Sequence, residues 1–298
     1  MPMYKEYKVE YGEGRILLVE YMTGPLDFSS RQSKKLIKEG RVLVNGKAAY
    51  RDTRLKNGDT VEINMTEELK SDILPEAIEL SIIYEDASIL AVNKPPYMLV
   101  HPTSNHPKGT LLNAVAYYFR EQGKQASLRL LNRLDMNTSG IVIIPKSAAV
   151  HSKLEEMMQA GRIRKFYTAV VDGAVKPESG RIEEPIGKNE ADPIKRIVRS
   201  DGQPSVTVYE TIKSTGNHSL VRLELLTGRT HQIRVHLAYK GCPITGDELY
   251  GKASDYICRQ ALHASDMELP NPGGDGILKL HAEVAEDFGK LLKQLKLE

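Results

Sequence analysis

The polar turn from Asn132 to Gly140 constrains this chain most, because it leads directly into the apolar run Ile141–Ile144. A short apolar run bounded by turn residues is typical of a strand. Within the turn, Asp135 follows Arg133 by two positions. A carboxylate fixed on a rigid scaffold beside a cation stays ionised even where it is desolvated, which a carboxylate nucleophile requires. The turn therefore predicts a candidate catalytic aspartate.

Two other interpretations apply to the same turn. An aspartate near Thr, Ser and Gly commonly serves as a turn former, because its side chain accepts hydrogen bonds from nearby backbone N–H groups. A calcium loop is the second, since the residues from Asp135 to Gly140 resemble the first half of an EF-hand. That loop would need a bidentate Glu where Lys146 stands, and a helix where an apolar strand follows. Calcium is thus excluded, and the turn-forming alternative stays open for this segment alone.

Length and cysteine usage narrow the class of protein. A chain of 298 residues is long enough for a large core and suggests two domains. Cys242 and Cys258 form neither a CxxC pair nor a disulfide framework, which suits a reducing compartment. Residues 1–9 do not resemble a signal peptide, and the apolar runs are far shorter than the roughly 20 residues that span a bilayer. We therefore expect a soluble cytoplasmic protein without a membrane segment.

Charge is concentrated near the N-terminus. The formal net charge is only +2, yet residues 31–56 contain nine basic and two acidic residues, a local charge of +7. The pattern predicts a helix from Ser30 to Gly40, then a hairpin whose Asn45-Gly46 pair favours a type I′ turn. Unpaired cations on such a unit are the electrostatic footprint of a protein that binds a phosphate backbone. The predicted RNA-binding side chains here are Arg31, Lys34, Lys35, Lys38, Arg41, Lys47 and Arg51.

The helix followed by Val44-Asn45-Gly46-Lys47 resembles the small RNA-binding module named after ribosomal protein S-four. The resemblance covers roughly residues 12–75. It implies an S-four-like RNA-binding module over residues 1–75 and a larger domain over residues 76–298. The acidic stretch of residues 66–80 is interpreted as a linker.

Three further segments carry residues of chemical interest. The loop of residues 92–102 contains Lys94 and His101, and the predicted strand of residues 164–173 contains Tyr167. Residues 226–237 contain two histidines five positions apart, which does not match the i, i+4 spacing of a helical zinc pair. A helix capped by Thr230 would present the guanidinium of Arg234 as a fixed fork to a carboxylate or a phosphate. Taken singly, these segments also fit a proline turn, a core tyrosine and an ordinary helix.

Together and in this order, the segments resemble the RluA-type pseudouridine synthases over roughly residues 80–298. The catalytic aspartate of that family matches Asp135, its strand tyrosine matches Tyr167, and the arginine of its histidine-rich motif matches Arg234. Residues 260–264 resemble a late motif of the same family. Two positions depart from it. Asn132 stands where histidine is frequent, and Tyr97 stands where glycine is common, and both lie near the expected path of RNA.

The resemblance implies a fold and an activity. We expect an α+β fold, with a small N-terminal α/β module and a large, mostly antiparallel mixed sheet flanked by helices. The implied reaction isomerises specific uridines of RNA to pseudouridine, with Asp135 as nucleophile and without metal or cofactor. Asp135 either traps C1′ covalently or helps to remove the 2′ proton, and the sequence leaves both routes open.

The expected partner is RNA, and the protein is expected to be a monomer. The appended module favours ribosomal, large-subunit RNA. A transfer RNA enzyme, a non-catalytic RNA-binding or ribosome-assembly factor, and a hydrolase are alternatives. The target base must be flipped out of its stack, and the resemblance implies that Arg133 fills the vacated space. Lys94 and His101 are predicted RNA contacts, and a second group is predicted to help hold phosphates: Arg162, Arg164, Lys165, Lys195, Arg196 and Arg199.

Overall fold

The computed structural model describes residues 4–11, 14–28, 30–64, 73–124 and 128–298. For Arg31 and Gln32 it describes the backbone but not the side chain. The chain divides into two compact units, Met1–Lys70 and Ser71–Glu298. No helix in the described ranges is long and apolar enough to cross a membrane.

The first unit is a small α/β structure. Its elements are β1 (Tyr4–Lys8), β2 (Arg15–Leu17), α1 (Leu18–Thr23), α2 (Ser30–Lys38), β3 (Val42–Val44), β4 (Lys47–Ala48), β5 (Arg54–Lys56) and β6 (Thr60–Asn64). A four-stranded antiparallel sheet has the order β1-β6-β3-β4, and β2 pairs separately with β5. Its core contains the fully buried side chains of Leu18, Leu55 and Ile63.

The predicted hairpin is confirmed, and a helix directly follows the short strand β2. Asn45 has φ 52° and Gly46 has φ 74°, the two positive values that a type I′ turn needs. β2 ends at Leu17, and α1 begins directly at Leu18. The reason is helical spacing, because Leu18, Tyr21 and Met22 recur at i, i+3 and i+4 and are all buried.

The second unit is built on one large sheet. Its strands are β7 (Ile82–Glu85), β8 (Ile89–Lys94), β9 (Ser139–Pro145), β10 (Arg164–Asp172), β11 (Ser179–Ile182), β12 (Ile186–Lys188), β13 (Arg196–Val198), β14 (Thr207–Ser214), β15 (His218–Leu225), β16 (Leu262–Pro270) and β17 (Ile277–His281). Its helices are α3 (Leu111–Glu121), α4 (Ala148–Gln159), α5 (Gln232–Tyr239) and α6 (Glu286–Gln294).

Nine strands form the sheet, in the order β11-β14-β15-β10-β16-β9-β8-β7, with β17 added beside β16. Every pairing is antiparallel except that of β16 with β9, which is parallel. β12 and β13 form a separate pair. This architecture confirms the expected α+β class with a large, mostly antiparallel mixed sheet.

Helices cover both faces of this sheet. Leu90, Val92 and Val142 point into a core that includes side chains from α3, α5 and α6. Ile141 and Ile143, one position out of phase, point into a second core that includes Leu154 of α4. Because successive strand residues face opposite sides, burial on both faces makes β9 apolar at every position of its run.

Gly140 permits the parallel pairing that follows the Asp135 turn. Its φ is 117°, and a Cβ at this position would collide with the backbone of Ala264. Ser139 and Gly140 pair there with His263 and Ala264 of β16. The close approach is what joins the Asp135 turn to the late segment that the sequence also indicated.

Candidate active site

The three residues that the sequence placed in a catalytic set line one cavity of about 360 Å³. Asp135 comes from the turn before β9, Tyr167 from β10, and Arg234 from α5. Strands β9 and β10 both adjoin β16, so the sheet brings their ends to the same region. Arg133 also lines the cavity and is exposed.

The turn that carries Asp135 is fixed by its own backbone and by Asn132. The N–H of Thr138 donates to the carbonyl oxygen of Asp135 at 3.0 Å. The Asn132 amide donates to the Ile141 carbonyl at 2.9 Å and accepts from the Ile143 N–H at 3.0 Å. The Asn132 side chain thus pairs with the backbone of β9, and these two hydrogen bonds hold the start of the turn against the sheet.

Asp135 contacts a buried arginine. Its Oδ2 accepts a hydrogen bond from Nη1 of Arg234 at 3.1 Å, and the Asp135 side chain is 31% exposed. The opposite edge of the same guanidinium donates two bonds to Asp247, at 2.7 Å from Nε and 2.8 Å from Nη2. The Asp247 side chain is only 1% exposed and also accepts from the N–H groups of Leu249 and Tyr250. Asp247 therefore anchors Arg234, and Arg234 presents its remaining donor to Asp135.

Sequence reasoning missed Asp247. The sequence offered only an indirect indication of a second acid. An arginine that binds one carboxylate through a single nitrogen still has two N–H donors on its other edge, and these can bind a second carboxylate. Nothing in the sequence distinguishes Asp247 from the other acids that could fill that role. Burial opposes the charge on Arg234, but the bonds and charge of Asp247, with Asp135 contributing less, raise the pKa of Arg234. The guanidinium is therefore firmly cationic.

Tyr167 is a neutral phenol in the cavity wall. It is buried, and burial raises its pKa above the ordinary value, with the Asp135 carboxylate adding to the effect. A phenol that holds its proton this firmly is a poor base. The ring can stack on a base and its hydroxyl can donate a hydrogen bond.

His231 lies close to Asp135, which the sequence did not predict. It is the N-cap of α5 with φ 58°, so the prediction that Thr230 caps this helix is wrong. Its Nδ1 lies 2.9 Å from the Tyr250 hydroxyl, which accepts from the Arg196 N–H at 2.8 Å. The other ring nitrogen, Nε2, lies 3.7 Å from Asp135 Oδ2.

Burial lowers the pKa of His231, although the nearby Asp135 carboxylate raises it, so the neutral ring faces that carboxylate. Within the described part of the chain, no group of three His, Cys, Asp or Glu side chains is placed to hold a metal ion.

Lys94, a predicted RNA contact, lies in the protein interior. It is fully buried, and its ammonium donates to the carbonyl oxygens of Pro95 at 2.7 Å, Met98 at 2.9 Å and Met136 at 3.0 Å. All three donors of the ammonium are used, so none remains for a phosphate. The proline-rich loop after β8 supplies two of these three carbonyl oxygens, those of Pro95 and Met98. Lys94 instead ties that loop to the residue after Asp135.

The other predicted RNA contacts fall into three groups. His101 is exposed, with Nδ1 2.6 Å from the Pro102 carbonyl oxygen, and does not line the cavity. Arg41 is half-buried and donates to the Asn64 carbonyl at 2.8 Å, and the side chain of Arg31 lies outside the described residues. The remaining five are exposed on the first unit: Lys34, Lys35, Lys38, Lys47 and Arg51.

Two arginines of the second predicted group of phosphate-binding cations bind carboxylates. Arg164 donates to Glu224 at 2.8 Å and to Glu268 at 3.4 Å. Arg199 donates to Asp201 at 2.8 Å and to Glu190 at 3.1 Å. These two arginines therefore have carboxylate partners within the protein. Lys165 differs from them because it is buried in the cavity wall.

Comparison with known proteins gives consistent matches. The family described as RNA pseudouridylate synthase matches residues 88–239, which include Asp135, Tyr167 and Arg234. The "Uncharacterized RNA pseudouridine synthase YhcT" of Bacillus subtilis (strain 168) is 35% identical over 280 residues, 92% of this chain and 93% of that protein. The "Ribosomal large subunit pseudouridine synthase D" of Yersinia pestis is 35% identical over 285 residues, 91% of this chain and 87% of that protein.

A solved structure agrees with the sequence matches. The human "RNA Pseudouridylate Synthase Domain Containing 4" superposes with a TM-score of 0.61 at 25% sequence identity. The superposition covers 72% of this chain and 93% of the human one. The fold and the sequence motifs therefore point to the same class of protein.

Proposed function

Because this chain belongs to the RNA pseudouridylate synthase family, and so is an RNA-modifying isomerase, we propose that Asp135, Arg234 and Tyr167 form its active site and that large-subunit ribosomal RNA is its substrate. The observation that supports the proposed active site is the 3.1 Å contact between Asp135 and Arg234 in the cavity. It places a fixed cation beside a partly exposed carboxylate, and the hydrogen bond orients that carboxylate within the cavity.

The reaction rearranges bonds within one nucleotide. The N1–C1′ bond breaks, the uracil turns, C5 joins C1′, the C5 proton leaves and N1 gains a proton. No net oxidation occurs. The carboxylate of Asp135 acts at the sugar, either by attacking C1′ to form an ester or by removing the 2′ proton. The position of Asp135 at the cavity wall supports both routes equally.

Arg234 orients the carboxylate. Its bidentate bonds to Asp247 fix the plane of the guanidinium, so that Nη1 points at Asp135 without a conformational search. Holding a reactive group in one geometry before substrate arrives lowers the entropic part of the barrier. The proposed role of Arg234 is therefore positioning and charge stabilisation.

Tyr167 and Arg133 are proposed to handle the flipped base. The neutral Tyr167 ring forms part of the cavity wall, where a uracil can stack on it. Its high pKa argues for stacking and against removal of the C5 proton by the phenol. Arg133 is exposed and lines the same cavity, so it can occupy the space that the flipped uridine leaves in the RNA.

Two observations support ribosomal RNA as the substrate. The Yersinia pestis relative is by name a large-subunit ribosomal enzyme, and its similarity covers 91% of this chain. The first unit also presents exposed lysines on α2 and on the β3–β4 hairpin, in the S-four-like arrangement. Such a unit suits a large folded RNA with many phosphates in reach.

A pseudouridine map of cellular RNA tests the substrate. Carbodiimide labelling with primer extension would be applied to RNA from cells with and without the gene, and to cells rescued with the wild-type gene. We expect one or more large-subunit rRNA sites to disappear and to return on rescue. Sites lost only from transfer RNA would overturn the ribosomal assignment while leaving the enzymatic one intact.

The basic surface of the first unit, defined here by Lys34, Lys38 and Lys47, is expected to contribute affinity. Replacing all three by alanine should weaken binding to an rRNA transcript by about ten- to a hundred-fold at moderate salt. The dependence of log K on log salt should become shallower by roughly 0.7–0.9 for each phosphate that the variant no longer binds. Filter binding over a salt series measures both quantities.

A matched control removes the same charge elsewhere. Lys153, Lys290 and Lys293, replaced together by alanine, lie in the second unit outside the cavity lining and should leave the salt slope unchanged. Equal slopes for the two triple variants would show that the first unit does not bind the RNA backbone.

A further inference from the structure

Lys165 is a buried cation of the active-site cavity. The residue is 9% exposed, and it lines the cavity with Tyr167, two positions along β10. Residues two apart on a strand point to the same face. A Cβ placed on Gly228 would lie 3.6 Å from Lys165 Nζ, so the ammonium reaches the loop before α5 that also lines the cavity.

No carboxylate in the described part of the chain forms an ion pair with this ammonium. The acids on the neighbouring strands are Glu224 and Asp266, both opposite Phe166, and Glu268, opposite Arg164. Glu224 and Glu268 bind the guanidinium of Arg164, and Asp266 lies 2.7 Å from Nδ1 of His281. Burial lowers the pKa of Lys165, and no nearby carboxylate opposes that effect.

The contrast with Lys94 is informative. Both lysines are buried, but the Lys94 ammonium donates to three backbone carbonyl oxygens, which compensates its lost hydration. Among the described residues, Lys165 has no comparable set of acceptors. Burying a charge without compensation is costly, and such a charge is typical of a site where a ligand supplies the partner.

We propose that the Lys165 ammonium stabilises the negative charge on the uracil as it leaves C1′. The inference rests on the proposed active site around Asp135. When the N1–C1′ bond breaks, its electron pair stays on N1, and the charge spreads over N1, O2 and O4 of the uracil. Lys165 keeps its proton and neutralises that charge until C5 bonds to C1′, the C5 proton leaves and N1 is protonated.

Burial favours the base over a phosphate as the group that Lys165 meets. An RNA phosphate stays at the surface, whereas a residue that is 9% exposed is reached by a group inserted into the cavity. Positions two apart on a strand are about 6.6 Å from each other, roughly the width of a pyrimidine. A uracil on the Tyr167 ring therefore extends towards Lys165.

Stabilisation of this kind lowers the barrier. The uracil is neutral in the bound substrate and anionic when the bond has broken, so the ammonium interacts more strongly with the transition state than with the ground state. In a cavity from which water is excluded, such fixed charge is worth far more than in solution. Loss of the ammonium should therefore lower kcat and leave substrate binding unchanged.

A change of leaving group tests the proposal. Fluorine at C5 makes uracil a more acidic, better leaving group, so its departure depends less on an external cation. The substrates are pooled ribosomal and transfer RNA transcripts made with UTP or with 5-fluoro-UTP. Single-turnover loss of the N-linked nucleoside is followed by nuclease digestion and chromatography with mass spectrometry.

Lys165→Met should slow uridine cleavage by about 10²–10³-fold, the usual cost of losing one preorganised stabilising group. Cleavage of 5-fluorouridine should slow at least about ten times less, and Lys165→Arg should restore part of the uridine rate. Equal slowing on both substrates, or a change in RNA affinity alone with a shallower salt dependence, would overturn the proposal.

Two controls separate the causes of failure. Lys165→Gln, with a polar side chain in the same place, repeats the comparison if the Met variant does not fold, and Lys153→Met reports on an exposed lysine. Asp135→Asn is measured beside them. Retained cleavage by Asp135→Asn would overturn the proposed active site. If Asp135→Asn abolishes cleavage and Lys165→Met slows both substrates equally, only the role of Lys165 is overturned.

Discussion

Asp135→Asn should lower pseudouridine formation by about 10⁴-fold or more, the scale of loss when a reacting side chain is removed. Asparagine preserves the shape of the side chain and can still meet Arg234 Nη1 through its carbonyl oxygen. Its amide carries no charge, so it neither attacks C1′ nor accepts the 2′ proton. Single-turnover assays on large-subunit rRNA transcripts measure the loss directly.

Binding and folding should survive this change. The Asp135 side chain is 31% exposed, so the loss of its charge costs little stability. The RNA dissociation constant of the variant should stay within about three-fold of the wild type, since the phosphate contacts that dominate affinity are unaltered. Asp275→Asn, an exposed aspartate in the turn between β16 and β17, serves as the matched control. Turnover near the wild-type rate would remove Asp135 from the mechanism.

Asp247→Ala is expected to destabilise the second unit by about 3–5 kcal/mol, because it leaves the buried Arg234 charge without its principal partner. Asp247 also accepts from the N–H groups of Leu249 and Tyr250, which lose their acceptor. Turnover should fall as well, since the guanidinium is no longer held towards Asp135. Urea unfolding followed by circular dichroism measures the change, because the chain contains no tryptophan for fluorescence.

A double variant identifies the source of that destabilisation. Arg234→Met combined with Asp247→Leu removes both charges and should be more stable than Asp247→Ala alone, although inactive. If the single variant lost less than about 1 kcal/mol, the pair would not be the anchor that its geometry indicates. A double variant no more stable than the single one would assign the cost to the Leu249 and Tyr250 backbone groups.

Local chemistry made much of the fold predictable. The helix caps at Thr110 and Ser147 accept hydrogen bonds from the backbone of Asn113 and Val150, as expected of hydroxyl side chains before an apolar helix. The hairpin at Asn45-Gly46 follows from the φ values that those residues tolerate. Each of these features depends on residues within a few positions of one another.

The features that the sequence did not reveal depend on partners that are distant in sequence. The sequence shows that Lys94 is basic, but not that three carbonyl oxygens would surround it in the core. It likewise does not reveal that Asp247 lies behind Arg234. Tyr97 adopts φ 61°, at a position where glycine is common in the family. The sequence marks this residue as a departure from the family but does not reveal its backbone conformation. Tertiary packing decided each of these cases.

The parallel pairing of β9 with β16 has a consequence for synthesis of the enzyme. Ser139 Oγ lies 2.9 Å from His263 Nδ1, across 124 positions of sequence. Contacts of such separation form slowly and only once both segments exist. A chain still growing on the ribosome therefore cannot complete the support of the Asp135 turn before Ala264 has emerged. Catalytic competence is thus acquired late in translation, and chains that terminate before that residue should be inert towards RNA chemistry.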